Sequence, residues 1–246
     1  MSNDTYAGGE LELFARAQHW KEYWISRLRP YIGSSVLEVG AGIGANTLLL
    51  RTGAEAQWVC LEPDPQLAGR AEEAIAEAAM NGAADVCVQP RCTAEVRVGT
   101  VVSLEPEEFF DTILYIDVLE HIENDRLEVE SAAGHLATGG RLIVLSPAHG
   151  WLFSPFDQAI GHFRRYTDRD LESLTPGGLR VLESFYLDSV GLLASAANRL
   201  LLHQSLPNAR QIRWWDNLMV PCSRMLDPLI AYRWGKSVVC IWEKTS

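Results

Sequence analysis

A rhythm of short apolar runs alternating with helix-forming stretches governs residues 33 to 147. Ser35–Val39, Gln57–Leu61, Asp85–Gln89, Asp111–Ile116 and Arg141–Leu145 read as strands. Ala45–Leu50, Pro65–Met80 and Asp125–Leu136 read as helices between them. Pro65–Met80 opens on proline and is rich in Ala and Glu, and Gly139-Gly140 closes the helix before it. Strands separated by helices pair in parallel, with the helices covering both faces of the sheet. Ligands of such sheets bind beyond the carboxyl ends of the strands. The informative loops are therefore those after Val39, Leu61, Gln89, Ile116 and Leu145.

The flanks extend this α/β core. Glu10 to Arg29 carries Leu13, Phe14, Ala17, Trp20, Trp24 and Leu28 at helical spacing, with Pro30 as a stop. Thr167-x-x-Asp170 has the form of a capping box. Leu182–Leu187 and Ser237–Trp242 read as two more strands. Between them lies a long insert, Asp188–Tyr232, with apolar helical stretches at Val190–Leu202 and Asp216–Tyr232. Such an insert serves either as a lid over a site or as a surface for a homodimer. The expected organisation is one domain over residues 1–246: an N-terminal helical cap (1–32), a core (33–187), the helical insert (188–232) and a last strand (233–246).

Charge and cysteine usage narrow the partners. The formal net charge is -11, so a nucleic-acid backbone is a poor partner and none is expected. Five cysteines occur at spacings that fit neither a zinc site nor a C-x-x-C pair, and no metal ligand is assigned. The first residues lack the pattern of a signal peptide, and no apolar run reaches the roughly 20 residues of a membrane span. A cytoplasmic protein is expected.

The first loop reads Glu38-Val39-Gly40-Ala41-Gly42-Ile43-Gly44. Glycines allow sharp turns and close approach of a ligand to the backbone. Gly40, Gly42 and Ala45 also satisfy the dinucleotide fingerprint. Glu62 ends the second strand at the spacing where a carboxylate accepts the hydroxyls of a ribose, and Pro63 holds the turn open. Glu38 would repel a pyrophosphate and suits a ligand carrying an amino group and a sulfonium.

Together with Leu61-Glu62-Pro63-Asp64, Asp117-Val118-Leu119-Glu120-His121-Ile122 and Gly139-Gly140-Arg141-Leu142-Ile143-Val144-Leu145, this loop resembles the motif set of class I S-adenosylmethionine-dependent methyltransferases of the small-molecule bacterial branch. The resemblance covers Gly33 to about Pro147. It implies a Rossmann-like seven-stranded sheet whose last strand runs antiparallel, S-adenosylmethionine as cofactor and S-adenosylhomocysteine as product. It places Glu38 and Gly40 at the methionine part, Gly42 and Gly44 near the ribose, and Glu62 at its hydroxyls. Thr93 would lie near the adenine, and Ile116 and Asp117 beside the adenosine and sulfur.

Ser146 to Tyr166 follows the fifth strand and is rich in aromatic residues. Its Gly161-His162-Phe163-Arg164-Arg165-Tyr166 is similar to a segment of bacterial methyltransferases acting on small metabolites. His162 is the first candidate for a general base, with His121 and His149 also in reach of that edge. Arg164 and Arg165 would anchor an anionic group of the acceptor, or pair with a nearby acid. Tyr6, Tyr115, Trp151 and Tyr166 would line a pocket for a planar acceptor, with His149 beside them. The expected reaction moves a methyl group to an oxygen or nitrogen of a small metabolite. The alternatives are a nicotinamide-dependent oxidoreductase and a non-catalytic protein that binds S-adenosylmethionine.

Overall fold

The computed structural model describes residues 16–80, 94–199 and 209–245. Seven strands form one sheet in the order β3-β2-β1-β4-β5-β7-β6. They are β1 (Ser35–Val39), β2 (Gln57–Glu62), β3 (Ala94–Val98), β4 (Phe110–Ile116), β5 (Leu136–Pro147), β6 (Leu179–Leu187) and β7 (Ser237–Lys244). β1 to β5 pair in parallel, and β7 runs antiparallel to both β5 and β6. The expected architecture, with a reversed last strand, is the one observed.

Three details differ from the sequence reading. The third strand is Ala94–Val98, and Asp85–Gln89 lies outside the described residues. The helix before β5 stops at Gly134, so Gly139-Gly140 does not end it. Those glycines sit inside β5, where a shift in the β4–β5 register and a left-handed Gly139 mark a bulge. The expected first helix is described only from Gln18 to Leu28, as α1, and a 3-10 turn containing Pro30 follows it.

Side-chain alternation splits the strands between two cores. Leu37, Val39, Val59, Leu61, Ile113, Tyr115, Leu142 and Val144 face one layer. Two helices cover it, α4 (Asp125–Gly134) through Val129 and Ala132, and α6 (Asp168–Ser173) through Leu171. Val36, Trp58, Cys60, Leu114, Ile116, Ile143 and Leu145 face the other, against Trp20, Trp24 and Leu28 of α1. α2 (Thr47–Leu50) and α3 (Pro65–Met80) lie on that second side. A short α5 (Pro155–Ala159) precedes α6, whose N-terminus carries the expected Thr167–Asp170 capping box.

The insert between β6 and β7 contains α7 (Ser189–Ala197), α8 (Ala209–Trp214), a π-helical turn (Trp215–Met219) and α9 (Val220–Leu226). It grips α1. Among the described residues no neighbouring side chain caps the N-terminus of α1. Asp216 does so from the insert, accepting the backbone N–H groups of His19 (3.3 Å) and Trp20 (2.9 Å). Asp227 binds the Tyr23 hydroxyl at 2.7 Å and the N–H groups of Asp188 and Ser189. A helix end thus finds its missing acceptor about two hundred residues away.

Candidate active site

The carboxyl ends of β1, β2 and β4 form the cleft. After Val39 the chain turns through Gly40 (φ 68°) and Gly42 (φ 59°), a region that glycine enters freely. A Cβ on Gly40 would stand 2.6 Å from Val118, so this turn also needs the missing side chain. The buried Glu62 holds the loop from β2: one carboxylate oxygen accepts the Gly42 N–H at 2.8 Å, the other the Asp64 N–H at 3.1 Å. Each oxygen keeps a lone pair for a further donor. Pro63 is exposed beside it. Gly44 packs its backbone on Ala71 of α3.

Glu38 is buried beneath this loop. One of its oxygens accepts the Thr47 hydroxyl at 2.8 Å and the Trp58 indole N–H at 3.0 Å. Burial pushes its pKa up to about 7, against the pull of those two hydrogen bonds and of Lys21. The sequence reading missed Lys21. It sits on α1, 6% exposed, and its ammonium reaches the Ala45 carbonyl at 3.4 Å. Burial lowers its pKa, while the charges of Asp117 and Glu38 support it. A lysine in an apolar helix stripe carries no motif; only the docking of α1 beside the glycine loop reveals it.

Ile116 ends β4, and Asp117 follows in a left-handed conformation, φ 55°. Such a backbone is uncommon for a residue with a side chain and concentrates at functional sites. Surrounding protein pushes its carboxyl up to about 6, with His162, Lys236 and Lys21 pulling the other way. The carboxylate nevertheless opens to solvent, as expected at the floor of a cleft.

Beyond Asp117, Glu120, His121 and His162 converge. The His121 and His162 rings meet edge to face at 4.4 Å. Asp157, also missed from sequence, orients His162 through a 3.1 Å contact to Nδ1. Asp157 opens α5 in a capping box with Ser154 and takes both a 2.8 Å and a 3.1 Å hydrogen bond from Arg165. Burial would raise its carboxyl, but the His162 and Arg165 contacts outweigh that and hold it well below the usual range. His121 is pushed down to about 4 by burial and by His162.

Several expected acceptor contacts are engaged elsewhere. Tyr115 is fully buried and donates to Glu128 of α4 at 2.7 Å; strand parity turns it to the face opposite Glu38. Tyr166 is buried, with its hydroxyl on Asp125. Arg164 pairs with Asp125 at 2.6 Å, and Arg165 with Asp157, rather than standing free as anion anchors. His149 stacks on Tyr186 at 5.1 Å and contacts the Gly235 carbonyl, which fixes it structurally. Trp151 remains half exposed. Tyr6 and Thr93 lie outside the described residues. The loop after β3, at the position expected for Thr93, is instead Gly99-Thr100-Val101.

Comparisons place this fold among known proteins. Coclaurine N-methyltransferase, solved with N-methylheliamine and S-adenosylhomocysteine, is 16% identical, with 93% of this chain and 72% of that one covered, at a TM-score of 0.60. Magnesium protoporphyrin IX methyltransferase of Synechocystis PCC 6803, with bound S-adenosylhomocysteine, is 13% identical (94% and 83% covered, TM-score 0.56). The [4+2]-cyclase SpnF has the same fold at 17% identity (92% and 79% covered, TM-score 0.58). No curated protein matches by sequence. The family model for a methyltransferase domain matches residues 17–217, from α1 through β6 and into the insert, and by that match the chain belongs to the methyltransferase-domain family.

Proposed function

We propose that the protein transfers a methyl group from S-adenosylmethionine to an oxygen or nitrogen of a small metabolite. The observation that carries this reading is Glu62 locked under the glycine loop by Gly42, with a lone pair left on each oxygen for a ribose diol. Lys21 supports the other end of the cofactor, where a cation suits the methionine carboxylate. Glu38 and Asp117 set carboxyl groups near its amino group and sulfonium, whose positive charge offsets the surroundings that raise their pKa.

In the reaction the acceptor attacks the methyl carbon in line with the S–C bond. The bonding pair returns to sulfur, leaving S-adenosylhomocysteine. Most of the acceleration then comes from alignment, on the order of 7–11 kcal/mol where it is complete. A hydroxyl acceptor loses its proton at the end of the cleft where Asp117, Glu120, His121 and His162 gather. The charge of -11 favours a small acceptor over nucleic acid. Among the described residues no helix is long and apolar enough to cross a membrane. Buried Cys60 and Cys240, both free thiols, suit the cytoplasm. Within the methyltransferase family the nicotinamide reading of the same glycines has no support.

Titration calorimetry with S-adenosylhomocysteine tests the cofactor assignment. Glu62→Ala is expected to lose about 1.5–3 kcal/mol of binding, the scale of a charged hydrogen bond. Unchanged affinity in that variant removes Glu62 from the ribose, and titration with nicotinamide dinucleotide gives the opposing arm.

A further inference from the structure

We propose that Glu120, His121 and His162 form a binding site for one divalent transition-metal ion, placed beside Asp117 at the acceptor end of the cleft.

Glu120 is fully buried, and only one of its carboxylate oxygens is satisfied, by the Ser146 hydroxyl at 2.9 Å. The other, Oε1, has no hydrogen-bond partner. A buried carboxylate oxygen left bare costs more than nearly any other polar group in a protein. It faces Nε2 of His162 across 3.9 Å, too long for a hydrogen bond. An ion between the two atoms satisfies both.

His162 is prepared as a ligand. Its Nδ1 is engaged by Asp157, which leaves Nε2 with its lone pair directed at Glu120. A carboxylate behind a ligand imidazole, fixing its tautomer and orientation, is the usual outer partner at metal sites. Arg165 in turn holds Asp157 through two hydrogen bonds. His121 supplies the third donor, and one ligand atom from each of the three residues lies within 4.8 Å of the others. Tetrahedral bonds of about 2.0–2.2 Å hold ligand atoms about 3.3–3.6 Å apart, so modest side-chain rotation closes the set. The exposed side of His121 gives the ion its way in.

Two imidazoles and one carboxylate leave open positions on the ion, and the donor set selects zinc, cobalt, iron or manganese over magnesium or calcium. An acceptor hydroxyl bound there has its pKa lowered and sheds its proton to solvent. Its oxygen then takes the methyl group. This step rests on the methyl-transfer reading above; the ion site itself does not.

The test uses the full chain, freed of metal with a chelator. Titration calorimetry with Co(II) is expected to show one equivalent, with a ligand-field spectrum of nitrogen and oxygen donors, and Zn(II) is expected to displace it. Glu120→Gln, which keeps the buried shape, and His162→Ala are expected to lose at least about 100-fold in affinity. Asp157→Asn is expected to lose about 10–100-fold, the range for an outer-shell partner. All three variants should bind S-adenosylhomocysteine within a few-fold of the parent. No ion uptake by the parent, or equal affinity in Glu120→Gln and His162→Ala, overturns the proposal. Ion binding with the expected ligand dependence, but no binding of S-adenosylhomocysteine by the parent, upholds the metal site and sinks the proposed function.

Discussion

At the scale of single residues, the site places acids where their charge is costly. Glu38 holds its proton to about pH 7 in the folded chain, whereas an unfolded glutamate releases it near its ordinary value of 4.5. Between those values the native state binds more protons than the unfolded state, so stability falls as pH rises and then levels off. Glu38→Gln removes the titration and keeps an oxygen for Thr47 and Trp58. Without cofactor, the variant is expected to gain on the parent from about pH 5 to about pH 8 in urea unfolding. A difference independent of pH would show that Glu38 is ionised at no cost, and the burial account would fail. Glu120, fully buried, is held up by the same cause, and the protein around the cleft floor raises Asp117. Three raised carboxyls at one sheet edge are what a cationic ligand would compensate.

Among the elements, α1 decides whether the cleft is complete. Its inward face carries Trp20, Tyr23, Trp24 and Leu28 onto the sheet and brings Lys21 to the glycine loop. The first turn of α1 depends on Asp216, because among the described residues no local side chain caps it. Replacing a capping acid with Ala costs about 0.5–2 kcal/mol. Asp216→Ala is therefore expected to lower stability by about that amount and to weaken S-adenosylhomocysteine binding several-fold, since α1 would no longer hold Lys21 in place. Hydrogen exchange should rise in α1 and in the π-helical turn together. Faster exchange in the turn alone would show that the two do not act as one unit.

For the whole molecule, the insert has two surfaces. Its inner side grips α1 through Asp216, Asp227 and the Trp20–Trp215 ring contact at 5.7 Å. The insert also exposes Leu193, Trp214, Leu218, Met225 and Leu229. Exposed apolar side chains that gather into one patch mark a surface for association, and we propose that these carry a homodimer through the insert. If so, Leu229→Asp together with Met225→Asp should convert a dimer to a monomer in sedimentation equilibrium while leaving cofactor affinity within a few-fold. A parent chain that is already monomeric at high concentration ends that reading and leaves the insert as a brace for α1.

The sequence alone determined most of the sheet and the glycine loop, because those rest on local rules. Short apolar runs marked β1, β2 and β4, helix propensity marked Pro65–Met80, and glycine spacing with Glu62 marked the loop that Glu62 now holds. The acceptor side was not legible, because it depends on which distant groups meet. Arg164, Arg165, Tyr115 and Tyr166 have the chemistry of binding residues, yet each is matched to an acid that only folding brings near. Lys21, Asp157 and Asp216 carry no motif and acquire their roles through the docking of α1, the turn into α5 and the return of the insert. The pairing of Glu120 with His162 across forty-two residues is likewise a tertiary decision: each half of the cluster lies in a separate loop, and the unsatisfied oxygen exists only where they close.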